Sequence, residues 1–470
     1  MRLPNPLVSL IPILILVGMI FISVGFFGAD AMSGSSQVSM ICAAAVSATL
    51  SIVFYKGTWN TIETGIIKTI GDTSVSIIIL LLIGMISGTW MISGVVPTLI
   101  YYGIQIISPQ FFLVSACIIC AVVSVMTGSS WTTIATIGIA LLGIGKALGV
   151  SEAWAAGAII SGAYFGDKIS PLSDTTVLAS SSSNVNLFEH IRYMLFTTTP
   201  TMIITLIIFL IAGLNATDNT EVMVEEYLTG LSSSFNISPW TLIVPLLTAI
   251  LIARKVPAII TLFAASVFAC ICAVILQPDQ LSLVAEGDGN ILRGLFITCF
   301  GTTAIDTGNA NLNSLVSTSG MSGMLDTVWL IICALIFGGT MIATRMIESI
   351  TSMIIRLVKG RITMVASTIV TGIFSNTATS DQYISIILTA SMFKDVYRKL
   401  GYENRLLSRT TEDAVTVTSV LVPWNTCGLT QATVLGVPTI VYLPYCFFNL
   451  ISPLMSLLVA VIGWKIKKTI

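Results

Sequence analysis

Gly166-Asp-Lys-Ile-Ser-Pro-Leu-Ser-Asp-Thr-Thr176 sets two aspartates, a lysine and a proline inside an otherwise apolar stretch. Outward from it, Leu7–Phe27, Ile77–Ile92, Leu195–Leu214 and Val434–Ile462 are apolar runs near the roughly 20 residues that carry a helix across a bilayer. Over all 470 residues, 55% are hydrophobic and 9% charged, with a mean hydropathy of +0.97. A soluble domain carries about 25% charged residues. That composition excludes a soluble enzyme, a nucleic-acid binder and a disordered chain, and the net charge of −1 gives no basic field for nucleic acid. The chain reads as an all-α polytopic membrane protein, with charged residues at membrane depth as the informative exceptions.

Other features are bland. The cysteines sit mostly in apolar runs, such as Cys117, Cys120, Cys270, Cys272 and Cys333, where they read as small hydrophobes rather than ligands or disulfides. No metal cluster or cofactor is expected. The first helix reads as a retained span rather than a signal peptide. Lys and Arg favour the cytoplasmic side. Counting from Arg2, Lys56, Arg192 and the Lys465–Lys468 tail places both termini there, with Lys146 and Arg293 as exceptions.

Order and spacing indicate an internal repeat. Gly128-Ser-Ser-Trp-Thr-Thr133 aligns with Phe374-Ser-Asn-Thr-Ala-Thr379, and Asp167–Ser173 with Asp413–Ser419. The expectation is two inverted repeats of about five spans each. Residues 1–214 hold spans 7–28, 38–55 and 73–95, a re-entrant hairpin 110–146, a broken span 152–180 and a span 188–213. An external acidic linker covers 215–237. The second repeat, 238–470, includes a hairpin 362–394, a broken span 402–427 and a last span 434–463. Ten spans and two hairpins result, the plan of a moving-domain, elevator-like secondary transporter.

Irregular backbone at membrane depth is tolerated where protein buries it or it lines a cavity. Two hairpin tips and two broken spans are therefore expected to meet near the midplane. Asp167, Asp174, Asp381, Glu412 and Asp413 supply ionisable oxygens for an ion and proton site, with Na⁺ expected at Asp167, Asp174 and Asp413. Ser129, Ser130, Thr132, Thr133, Ser170, Ser173, Thr175, Ser375, Asn376, Thr377, Thr379, Thr416, Thr418, Ser419, Trp424 and Asn425 supply neutral groups for a substrate. A carboxylate that takes Na⁺ when ionised and H⁺ when neutral makes the two compete, and burial favours the neutral form. Against this stand plainer readings. Asp167 with its neighbour Lys168 admits a structural ion pair, and hydroxyls serve as packing contacts between membrane helices. His190, beside Arg192, reads as surface-facing, Asp218–Glu226 as a solvated loop, and Asp306 and Asp326 as part of an outer polar segment.

Ser161–Thr176 and Glu412-Asp-Ala-Val-Thr-Val-Thr-Ser-Val-Leu-Val-Pro-Trp-Asn-Thr-Cys427 resemble the NhaC-type sodium/proton antiporter family along nearly the whole chain. The resemblance implies secondary transport coupled to Na⁺ and H⁺ in a prokaryotic inner membrane, not an enzyme. It leaves open a Na⁺-lactate/malate-H⁺ exchanger or a Na⁺/H⁺-coupled amino-acid carrier at the same site. By analogy with moving-domain carriers it also admits a homodimer. Two competing classes fit less well. An intramembrane aspartyl protease meets Phe165 where its motif needs glycine, and an uncoupled channel has no use for mirrored carboxylate-bearing breaks.

Overall fold

Thr58 starts the longest helix, its Oγ1 accepting the Thr61 N–H at 3.4 Å, and the helix runs from Trp59 to Ile92 over 34 residues. The amphipathic stretch around Lys68 and the span expected at 73–95 are thus one continuous element. No proline interrupts it, so nothing removes a backbone donor before Ser93 and Gly94 end it. The computed structural model describes residues 3–27, 34–214, 221–285, 289–308 and 310–468.

Among the described residues the regular structure is helical, with two isolated bridges, Thr303 to Thr318 and Tyr402 to Lys468. Eight helices are long and apolar enough to cross a membrane, or up to ten if each of two bent pairs counts as one span. Phe21 and Phe26 are 80% exposed, as is Ile106. Such surfaces are stable only against lipid, which makes this a multi-pass membrane protein.

Two polar segments each separate a pair of helices at a sharp turn. Phe112–Thr127 turns at Gly128 into Ser130–Thr133 and its continuation, and Arg361–Thr379 turns at Ser380 into Gln382–Lys399. The first pair packs tightly on Glu152–Ile169. Gly162 and Gly166, four apart on one face, let that helix approach so closely that a Cβ would meet the Cys117 carbonyl oxygen at 2.0 Å and that of Ala121 at 2.5 Å. This is the small-residue logic of membrane helix contacts.

Two expectations change. The apolar run Val434–Ile462 is not one span: Thr426–Leu435 and Thr439–Tyr445 meet at 89°, and a separate helix covers Phe447–Ile462. Gly436 and Pro438 stop the first piece and Pro444 falls in the second, since these residues end helices. The segment Asp218–Glu226, expected as a solvated loop, is helical from Glu221 within the helix Glu221–Ser234, whose Tyr227 and Leu231 are buried. Residues 215–220 lie outside the described residues.

Candidate functional site

Pro171 disfavours a helical conformation at Ser170, and Glu152–Ile169 ends there with Ser170 extended (φ −75, ψ 129). The chain resumes as Asp174–Ser182, capped by Ser173, whose Oγ accepts the Thr176 N–H at 3.4 Å. A break in mid-protein leaves carbonyls without helical partners. Thr176 Oγ1 answers two of them, donating to the carbonyls of Asp167 (3.2 Å) and Lys168 (3.0 Å). Ser170 Oγ ties the break to the first turn through the Val125 carbonyl at 2.8 Å.

Asp167 lies on the last turn before this break and is 6% exposed. Its Oδ2 accepts the Ser130 N–H (3.2 Å) and the Ser130 hydroxyl (2.6 Å), and its Oδ1 accepts the Ser173 hydroxyl (2.5 Å). Ser130 is delivered by the turn itself. Gly128 adopts a left-handed conformation (φ 69), and Ser129 then caps the new helix, accepting the Thr132 N–H at 3.2 Å. The Ser130 N–H at that helix start points to the carboxylate, where the helix dipole favours negative charge.

Asp167 opens onto a cavity of about 410 Å³. Asp174, exposed into the same space, shares its wall with Ser129, Thr132 and Thr175. The other side comes from Val75, Ser76 and Ile79 of the long helix and from the turn at Lys255. Among the lining groups that escaped the sequence reading are Trp131 and the pair Gln382 and Tyr383 next to the expected Asp381. Their adjacency to the two turns was the available signal. Lys255 carried none beyond its charge.

The second turn follows the same plan. Ser380 is left-handed (φ 59), and Asp381 caps the next helix by accepting the Ile384 N–H at 3.0 Å. Asn425 caps Thr426–Leu435 as Ser173 caps Asp174–Ser182. Gly128 and Ser380, Ser129 and Asp381, Ser173 and Asn425 are each 252 residues apart (380 − 128, 381 − 129, 425 − 173). Most of the neutral groups expected in the second half bind each other rather than the cavity. Asn376 donates to the Val415 carbonyl (2.7 Å) and to Thr418 Oγ1 (3.0 Å). Asn425 donates to the Asn376 carbonyl (3.0 Å), and Trp424 Nε1 to that of Thr377 (2.9 Å). Thr379 Oγ1 donates to the Asp381 carbonyl (3.0 Å), Ser419 Oγ and Gln382 Nε2 to that of Thr416 (2.8 and 3.0 Å). Ser375 is buried, and Thr133 pairs with Thr127 at 3.1 Å.

Asp413 and Glu412 lie elsewhere, buried on a segment where the helix widens to π geometry. Asp413 forms an ion pair with Lys168 and accepts Thr197 Oγ1 at 3.1 Å, with Arg409 Nε at 3.8 Å from its other oxygen. Lys168 also donates to Ser452 at 3.1 Å. Asp167 and Lys168 are therefore not each other's partners, because consecutive helical side chains project about 100° apart. Neither Glu412 oxygen has a hydrogen-bond partner among the described residues. His190 is not surface-facing: it is fully buried, its Nδ1 at 2.8 Å from Ser408 Oγ.

Residues 5–180 and 162–464 match the family model described as "Na+/H+ antiporter family". The chain belongs to the Na⁺/H⁺ antiporter family. It is 40% identical over 87% of its length to the Na(+)/H(+) antiporter NhaC of Alkalihalophilus pseudofirmus, covering 87% of that protein. It is 36% identical over 84% of its length to the malate-2H(+)/Na(+)-lactate antiporter of Bacillus subtilis, covering 82% of it. Against the arginine/ornithine antiporter ArcD of Halobacterium salinarum it is 32% identical over 97%, covering 92%. In this antiporter-family chain no three His, Cys, Asp or Glu side chains among the described residues group as a metal site. A Na⁺ ion at the cavity would draw instead on carboxylate, hydroxyl and carbonyl oxygens, the donor set that suits a hard cation.

Proposed function

We propose that this protein exchanges Na⁺ for H⁺ at the cavity between the first turn and the first broken helix, with Asp167 and Asp174 as the carboxylates for which the two ions compete. The observation that carries this is the Asp167 carboxylate at the cavity wall, facing hydroxyls of Ser130 and Ser173 that rotate. A hydroxyl donates to a bare carboxylate and turns a lone pair to a cation or to a carboxylic acid proton. One site thereby suits both occupants. Asp381, Glu412 and Asp413 serve internal capping and charge balance on this reading.

The common plan of the two turns and capped breaks supports a pair of related halves. The Lys and Arg distribution supports an inverted arrangement with both termini cytoplasmic in a prokaryotic cell membrane.

A second reading rests on cavity size. A space of about 410 Å³ is in the range of small-molecule sites and exceeds the need of one ion. Na⁺-coupled exchange of lactate and malate, or carriage of an amino acid, fits it. Proteoliposomes holding a pH dye separate the readings. Na⁺ alone moves protons in the first, whereas in the second the dye is silent until an organic substrate is added. A wild-type protein silent under all these additions would overturn both.

A further inference from the structure

Where the Leu187–Leu214 span begins and the Phe447–Ile462 helix ends, a second cavity of about 580 Å³ opens away from the ion cavity. Arg192 and Arg405 both line it. Arg405 is held in place: its guanidinium lies 4.9 Å from the Tyr193 ring, and it pairs with Glu403 and, at 3.5 Å, with Glu189. Arg192 is exposed and has no carboxylate within ion-pair distance among the described residues. The chain's tail adds more positive charge. Tyr193 donates to the Lys465 carbonyl at 3.1 Å, and Lys465 Nζ stands 5.8 Å from the Phe196 ring. The two neighbouring carboxylates, Glu189 and Glu403, are both taken by Arg405. Positive charge around this opening therefore exceeds negative.

The flank of the opening is apolar. Phe188 is 62% exposed and Trp464 47%, and Trp464 packs edge-on against Phe196 at 5.4 Å. Aromatic rings of this kind mark the level of lipid headgroups. Unpaired arginine at that level, beside an apolar flank, has the makeup of a basic pocket between spans that holds an anionic headgroup. The guanidinium fork matches two phosphate oxygens at once.

We propose that this pocket binds a phosphate-bearing anion through the unpaired guanidinium of Arg192, beside the Arg405 that Glu189 and Glu403 hold in place, and the apolar flank favours an anionic phospholipid whose chains lie along Phe188. The site is separate from the ion cavity, and its test reads binding rather than transport.

The full-length protein, purified in detergent, is melted and weighed by native mass spectrometry with phosphatidylglycerol, phosphatidylcholine or inorganic phosphate added. Phosphatidylglycerol raises the melting temperature by about 2–4 °C and is retained in the mass spectrum, while phosphatidylcholine, whose ammonium offsets its phosphate, does neither. Arg192→Gln melts like wild type without lipid, because its side chain is exposed, and loses the lipid response; Arg192→Lys keeps part of it. An equal shift from inorganic phosphate, again lost in R192Q, supports the phosphate site and assigns it to a soluble anion. Equal responses to the two lipids, or an undiminished response in R192Q, overturn the proposal.

Discussion

Lys168 pairs with Asp413 in the interior while the preceding residue, Asp167, lines the cavity of about 410 Å³ from the same helical turn. One turn of helix thus carries a charge held by another charge and a charge held by hydroxyls at a cavity wall. The two aspartates, aligned by sequence as counterparts, hold different positions in the fold.

Removing one member of the buried pair strands the other. Lys168→Met is expected to destabilise the protein by about 3–5 kcal/mol, read as loss of monodisperse protein or a lower melting temperature. The double variant Lys168→Met/Asp413→Leu recovers only part of that loss: an apolar pair replaces a buried ion pair at little net cost, but Arg409, buried 3.8 Å from Asp413, is left without its carboxylate. A double variant no better than K168M would show that Asp413 answers chiefly to Arg409.

Asp167→Asn abolishes Na⁺-driven proton movement in proteoliposomes while the protein still folds, since an amide keeps the shape and accepts from Ser130. Asp174→Asn weakens transport by about tenfold or more through loss of a carboxylate on the same cavity. Undiminished exchange by D167N would remove Asp167 from the ion site.

Ser130→Ala removes the shorter of the two bonds to Asp167 Oδ2. Hydrogen bonds to charged groups are worth about 1.5–3 kcal/mol, so the half-saturating Na⁺ concentration shifts by about one to two decades. Thr136→Ala, whose hydroxyl donates to the Thr132 carbonyl at 2.7 Å away from that carboxylate, leaves it within twofold. A flat response in S130A would mean that the hydroxyl does not sense the ion.

Competition has a pH signature. If H⁺ and Na⁺ share the carboxylates, the Na⁺ concentration for half-maximal exchange rises by about tenfold for each unit that pH falls below the site's own pKa, and levels off above it. A half-saturation value constant across pH 6–9, with only the maximal rate changing, would place the two ions on separate groups.

The two turns give opposite responses to exchange of their left-handed residue. Gly128→Ala forces a Cβ to within 2.6 Å of the Leu172 backbone at φ 69 and costs about 1–2 kcal/mol or more. Ser380→Gly relieves a left-handed serine whose buried Oγ has no partner and stabilises by the strain of about 1–2 kcal/mol less the extra unfolded-chain freedom of glycine, about 0.4–1 kcal/mol. Paired melting curves check the signs.

Hydropathy made the membrane class legible, because a chain so poor in charge has one solvent available to it. The broken helix at Ser170–Ser173 was equally plain, since proline and serine in an apolar run leave few alternatives. Side-chain partners were not. Whether Lys168 meets Asp167 or Asp413 depends on helix rotation and on what packs behind it, and sequence adjacency pointed the wrong way. Gln382 and Tyr383 were missed because an amide and a phenol beside Asp381 looked like its surroundings. His190 was misplaced because polarity near a span end reads as surface, whereas here the Asn404–Thr411 helix carrying Ser408 covers it.

The Lys168–Asp413 pair also divides the molecule mechanically. It rivets the first broken helix to the segment at Glu412–Thr416, and parting it would lay bare two charges in a dry interior. The ion cavity has no such rivet among its described contacts between Asp174 on one bank and the Lys255 turn on the other. A seam yields where it is least fastened: pulling on this fold would part the banks of the cavity before it parted the two broken helices that Lys168 and Asp413 hold together.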